Sequence, residues 1–203
     1  MHDNLLIIFT RKPELGHCKT RLAKTVGDKA ALEIYKHLVQ HTAKTSADVK
    51  AQKQVWYTKA IVDDDCWENS IFEKQIQPEG DLGEKMKFAF EQGFKNNYKH
   101  IVVIGSDLYD LQPEDITQAF EALKNNDAVI GPATDGGYYL LGMNALHKAV
   151  FEAKSWGTNT VFESTLRDLS TLKLKQLSPK NDVDYYEDIA GIPIFEEIIK
   201  TYQ

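Results

Sequence analysis

The chain has 203 residues and a formal net charge of −6, with 42% hydrophobic and 27% charged residues. That is the composition of an ordinary globular protein with enough chain for a sizeable core. The acidic balance argues against nonspecific binding to nucleic acid or anionic membrane, and no apolar run approaches the about 20 residues of a membrane span.

Leu5 to Phe9 is a continuous apolar run, as expected of a strand buried on both faces. A polar loop follows from Thr10 to Thr20. Asp28 to Thr45 is a predicted helix, with Ala31, Leu32, Tyr35, Leu38 and Val39 at helical spacing. Gln54 to Tyr57 is a second predicted strand, and the acidic Asp63-Asp64-Asp65 reads as a solvated loop or helix start. A short strand falls within Ser70 to Gln77. Pro78-Glu79-Gly80-Asp81 breaks the chain, and Leu82 to Phe94 is a helix. Ile101 to Ile104 is a buried strand. Pro113 to Leu123 is a helix with proline in its first turn, for which Asp110 is the expected cap. Strands are predicted at Ala128 to Gly131, Tyr138 to Met143 and Leu172 to Leu177. Asn159 to Leu169 is a helix. Glu187 to Tyr202 is mostly helical, interrupted by Gly191 and Pro193. The alternation predicts one α/β domain over residues 1–203, a mainly parallel sheet covered by helices on both faces.

The polar Met1-His2-Asp3-Asn4 start and the short apolar run after it lack the form of a signal peptide, so a cytoplasmic location is expected. Cys18 and Cys66 fit a reducing compartment, and the six histidines lack metal-site spacing.

In open α/β sheets ligands bind outside the carboxyl ends of the strands. The loops after Phe9, Ile104 and Gly131 should therefore converge. The first, Thr10 to Leu22, places Arg11, Lys12, Lys19 and Arg21 within eleven residues of an otherwise acidic protein. It reads as a di- or triphosphate site or as a solubilising loop, and it lacks the phosphate-loop pattern. Asp107, after Gly105-Ser106, is either a magnesium ligand or a turn cap. Asp135-Gly136-Gly137 is a hairpin turn or a ligand loop whose carboxylate holds or deprotonates an acceptor. Asp184, in Asp182-Val183-Asp184, is a second metal ligand, a helix cap with Glu187, or both. Gly80 to Met86 is a helix start that either receives an anion or is simply capped. Trp156 is an aromatic wall for a ligand or a buried core residue.

Taken together these segments resemble a bacterial glycosyltransferase family of the nucleotide-diphospho-sugar transferase (GT-A) superfamily, similar to the molybdenum-cofactor and phospholactate guanylyltransferases. The opening pattern, roughly K-x-P-x-x-G-x-x-K-T-R-L, stands here as Arg11-Lys12-Pro13-Glu14-Leu15-Gly16-His17-Cys18-Lys19-Thr20-Arg21-Leu22. Asp81 to Met86, Gly105-Ser106-Asp107, Gly131 to Gly142, and Asp182-Val183-Asp184 with Glu187-Asp188 complete the match in order. Two departures stand out: Leu108-Tyr109 where the family has a small residue and proline, and Tyr185-Tyr186 where it has Thr-Pro.

The resemblance implies a GT-A, Rossmann-like α/β/α sandwich. It implies nucleotide held by Lys12, Pro13, Gly16, Lys19, Arg21, Asp81, Leu82, Gly83 and Ser106. It implies Mg²⁺ or Mn²⁺ on Asp107, with Asp184. Lys19 and Arg21 would offset charge on the leaving group, and Asp135 would act on an acceptor placed by Asp135, Gly136, Gly137 and Trp156. The leading expectation is glycosyl transfer from a nucleotide-diphospho-sugar to a small-molecule acceptor. The alternatives are nucleotidyl transfer from a nucleoside triphosphate, with pyrophosphate release, and a nucleotide-binding module without turnover.

Overall fold

A computed structural model describes residues 2–202; Met1 and Gln203, the two ends of the expected domain, lie outside the described residues. Strands β1 (Asn4–Thr10), β2 (Gln52–Tyr57), β3 (Glu73–Ile76), β4 (His100–Ile104), β5 (Ala128–Pro132), β6 (Tyr138–Met143) and β7 (Leu174–Gln176) form a seven-stranded sheet in the order β3-β2-β1-β4-β6-β5-β7. Only β6 runs antiparallel to its neighbours β4 and β5; the other pairings are parallel. The mainly parallel, mixed GT-A sheet expected from the sequence is the one observed.

The helices are α1 (Thr20–Val26), α2 (Asp28–Ala47), α3 (Leu82–Lys95), α4 (Pro113–Leu123), α5 (Val161–Asp168) and α6 (Pro193–Tyr202). They explain why β1 is apolar throughout. Leu6 and Ile8 pack with Tyr35 and Val39 of α2 and Ile116 and Phe120 of α4. Leu5 and Ile7, pointing the other way, pack with Met86 and Phe90 of α3. All four strand residues are fully buried, each worth roughly 1.5–3 kcal/mol of transfer free energy. Ile34 and Leu38, on the outer side of α2, bury Phe195 and Ile199 of α6 in a third cluster.

Several local expectations change. Thr20 to Val26 is a helix ended by Gly27, in a stretch whose local periodicity predicts no element. Asp110 does not cap α4: Gln112 is the cap residue, its backbone N–H donating to Asp115 Oδ2 at 2.8 Å. Asp65 is not simply solvated, because it accepts hydrogen bonds from Tyr57, Trp67 and Lys74 and ties the β2–β3 connection together. The final segment is a short 3₁₀ turn, Tyr186–Asp188, followed by α6 starting at Pro193.

Candidate functional site

The carboxyl ends of β1 and β4 are pinned to each other below a cavity. Ser106 Oγ donates to Thr10 Oγ1 at 3.0 Å, and the Tyr35 hydroxyl lies 3.5 Å from Ser106 Oγ while donating to the Arg11 carbonyl at 3.2 Å. Above this network lies a cavity of about 530 Å³, within the range of small-molecule sites. Arg11, Lys19, Arg21 and Lys85 all line it. Ser106, buried, contributes to its floor as well as to the strand contact.

Lys19 organises this cavity. It stands in the left-handed region at φ 49°, an uncommon state for a side-chain-bearing residue. Its ammonium, only 6% exposed, donates to Asp107 Oδ2 at 2.8 Å and Asp184 Oδ1 at 3.1 Å. Arg21 Nη1 holds the other Asp184 oxygen at 2.9 Å and its guanidinium lies over the Tyr185 ring. Burial pulls the Lys19 ammonium down, but the charges of Asp107 and Asp184 outweigh it, and the net shift is upward. Burial likewise pushes Asp107 up, and Lys19 reverses it to a net lowering. The Asp107 side chain is 42% exposed, so solvent screens its half of the contact.

Asp184 reaches this point by pairing. Beyond β7, Lys180 pairs with Ala133 in parallel, and Val183 N–H donates to the Asp107 carbonyl at 3.4 Å. Val183 is buried in the core. Residues two apart in an extended segment share a face, so Val183 turns into the core while Asp182 and Asp184 both turn outward, and there they border different cavities. Asp184 lines the basic cavity and Asp182 a second one. The helix-cap reading of Asp184 gives way: Asp188 accepts from the backbone N–H groups of Asp184 and Tyr185.

The second cavity, of about 190 Å³, is bounded by Asp107, Asp135, Asp182, Tyr138 and Trp156, with Leu82, Leu108 and Leu111 as apolar wall. Leu82, Gly105 and Asp107 border both cavities. Asp135 sits in the β5–β6 hairpin turn, where its Oδ1 accepts from Gly137 N–H at 2.8 Å. The hairpin reading of this loop is the one observed, and the Asp135 carboxylate at its tip borders the cavity. The glycines serve packing first. A Cβ on Gly136 would lie 2.3 Å from the Asn159 carbonyl oxygen, and one on Gly131 would strike the Tyr139 ring at 2.4 Å. Burial, then the charges of Asp135, Asp107 and Asp184, push the Asp182 carboxyl up to about 6.

Other expected residues stand apart. Lys12 forms an ion pair with Glu14, and neither it nor Pro13 nor Gly16 lines the two cavities. Asp81 is engaged in a capping box with Glu84 at the start of α3. Gly83 makes room for Trp156, whose ring atoms lie 2.6 Å from where its Cβ would stand. Of that helix start, Leu82 borders the cavities, and Lys85, one turn on, supplies a further cation outside the site residues that the resemblance implies. Asp182 is a further cavity residue outside the expected set; its spacing from Asp184 about an apolar valine, which puts both on one face, is the sequence signal for it. The two family departures are accommodated: Leu108 walls the second cavity and Tyr109 packs against Phe195 with ring centroids 4.8 Å apart, while the Tyr185 ring lies under the Arg21 guanidinium.

The oxygens of Asp107 and Asp184 suit a divalent cation, which would take the place of the Lys19 ammonium between them. Two carboxylates already converge on one cationic atom, and Mg²⁺ commonly takes one or two carboxylates plus substrate phosphates rather than an all-protein cage. Among the described residues no group of three or more His, Cys, Asp or Glu forms such a cage.

The family description "Uncharacterized protein conserved in bacteria (DUF2064)" matches residues 41–158, more than half of the chain. The chain belongs to this family. A protein of Desulfovibrio desulfuricans G20, described as a "putative nucleotide-diphospho-sugar transferase", is 30% identical, with 100% of this chain and 99% of that one covered at a TM-score of 0.88. Two more distant structures share the fold. The 4-diphosphocytidyl-2C-methyl-D-erythritol synthase of Anaerococcus prevotii is 12% identical, with 96% of each chain covered and a TM-score of 0.63. A cytidylyltransferase of Leptospira borgpetersenii is 14% identical, with 99% and 95% covered and a TM-score of 0.60. No curated protein matches the chain. The family member is thus of the nucleotide-diphospho-sugar transferase superfamily in fold, and none of its described helices is long and apolar enough to cross a membrane.

Proposed function

We propose that this protein is a glycosyltransferase that takes a nucleotide-diphospho-sugar in its basic cavity and a small acceptor in the adjoining acidic one. The observation that carries this reading is that two cavities of opposite charge meet at Gly105 and Asp107. The similarity to the Desulfovibrio protein supports it. Arg11, Lys19, Arg21 and Lys85 bind the diphosphate and offset its charge as it leaves. Leu82, at the shared border, offers the nucleotide an apolar contact. Asp135 uses Oδ1 to fix its own loop and keeps Oδ2 to accept a proton from the acceptor. Asp107 and Asp184 would hold Mg²⁺ or Mn²⁺, which supplies further charge neutralisation at the diphosphate.

Calorimetry with UDP-, GDP-, CDP- and ADP-sugars, with and without Mg²⁺ or Mn²⁺, tests the reading. At least one donor should bind, and Lys19→Met should weaken it by roughly 10- to 150-fold, the loss of charge-assisted hydrogen bonds. No binding across the panel overturns the reading. Pyrophosphate release from a nucleoside triphosphate would replace it with nucleotidyl transfer.

A further inference from the structure

The two cavities differ in more than sign. Each cation that faces the site, Arg11, Lys19, Arg21 or Lys85, borders the larger cavity. Among the described residues, no lysine, arginine or histidine lines the smaller one, whereas Asp107, Asp135 and Asp182 do. Asp107 is shared with Lys19, but neither Asp135 nor Asp182 forms an ion pair among the described residues. A cation bound between Asp107 and Asp184 would therefore leave two carboxylates facing the acceptor. A phosphate or carboxylate there would meet like charge with no cation among the described residues to offset it, which is how a site rejects a competing ligand. Hydroxyl and amino groups would meet acceptors. Trp156 and Tyr138 add flat apolar walls, suited to the C–H face of a ring and tolerant of a positive charge.

We infer that the acceptor is an unphosphorylated, neutral or cationic polyol of about the size of one sugar ring, with amino-bearing forms favoured. This deepens the glycosyltransferase reading and rests on it. In the transfer, an acceptor hydroxyl gives its proton to Asp135 while its oxygen forms a bond to the anomeric carbon of the donor. The bond from that carbon to the diphosphate oxygen breaks, and its electron pair leaves with the nucleoside diphosphate towards Lys19 and Arg21. The products are the glycoside, the nucleoside diphosphate and one proton.

The test uses the full chain saturated with a nucleoside diphosphate and Mg²⁺, after calorimetry has shown that the nucleotide binds. Affinities are then measured by ligand-observed NMR for matched pairs: glucose and glucose 1-phosphate, glucosamine and glucosamine 6-phosphate, glycerol and glycerol 3-phosphate. The unphosphorylated member of at least one pair should bind ten times more tightly than its partner or better. Glucosamine should bind more tightly than glucose, a preference that Asp135→Asn should reduce while leaving nucleotide affinity within twofold. Equal binding within the pairs, tighter binding of the phosphorylated members, or no binding by any of them overturns the inference while the nucleotide result stands. Failure of the nucleotide itself to bind defeats the transferase reading, and this inference falls with it.

Discussion

Asp182 and Asp184 lie two positions apart and experience opposite surroundings. Asp184 faces Lys19 and Arg21, while Asp182 faces other carboxylates. With its pKa raised to about 6, Asp182 favours the folded state when protonated. That contribution is complete below the unfolded value near 3.8 and is lost as pH rises through about 6. Asp182→Asn should therefore be more stable than the parent at pH 8, by on the order of 1–2 kcal/mol once solvent screening is allowed for. The advantage should vanish near pH 4. Urea unfolding at the two pH values checks this, and a gain independent of pH would show that charge crowding is not the cause. Asp107, Asp135 and Asp184 were legible in the sequence because each follows an apolar strand or sits in a named motif. For Lys12, a position in a basic loop says nothing about the direction of the side chain, which turns to Glu14 outside both cavities.

The element that most constrains the smaller cavity is the β5–β6 hairpin. Gly136 has a φ of 90° and its backbone is pressed against Asn159, whereas Gly157, at 78°, has open space around it. Both glycines pay backbone strain on substitution, but only Gly136 adds a clash with main-chain atoms that cannot rotate away. Gly136→Ala should cost about 2–4 kcal/mol and Gly157→Ala about 1 kcal/mol. Equal losses in denaturant unfolding would show that the contact with Asn159 is not tight. Helices and strands with clear periodicity or caps were predicted nearly to their ends, as with α4, which begins at Pro113 and ends at Leu123. The helix Thr20–Val26 was not, because its apolar residues, Leu22 and Val26, are too few to show a period until α2 and the 180s segment bury them.

At the scale of the molecule, the site joins segments from across the chain: Lys19 contacts Asp107 and Asp184, 88 and 165 positions away. A ligand seated there binds only the assembled fold. At 100 times its dissociation constant a nucleotide-sugar should add about 2.7 kcal/mol, which for a protein of this size raises the melting temperature by about 5–10 °C. Lys19→Met should abolish most of that rise in a thermal-shift assay; an undiminished rise would place the ligand elsewhere. The amino-acid sequence by itself determined the α/β class, the parallel core strands and the strand-end loops that carry the carboxylates, because these follow from local periodicity, turn chemistry and the rule that ligands gather at strand ends. Only the tertiary structure decided that the site is two cavities of opposite charge divided at Asp107. That depends on Val183 being buried so that both flanking aspartates face the cavities, and on the segment after β7 running back alongside Ala133. Those are contacts between residues far apart in sequence, which no local pattern encodes.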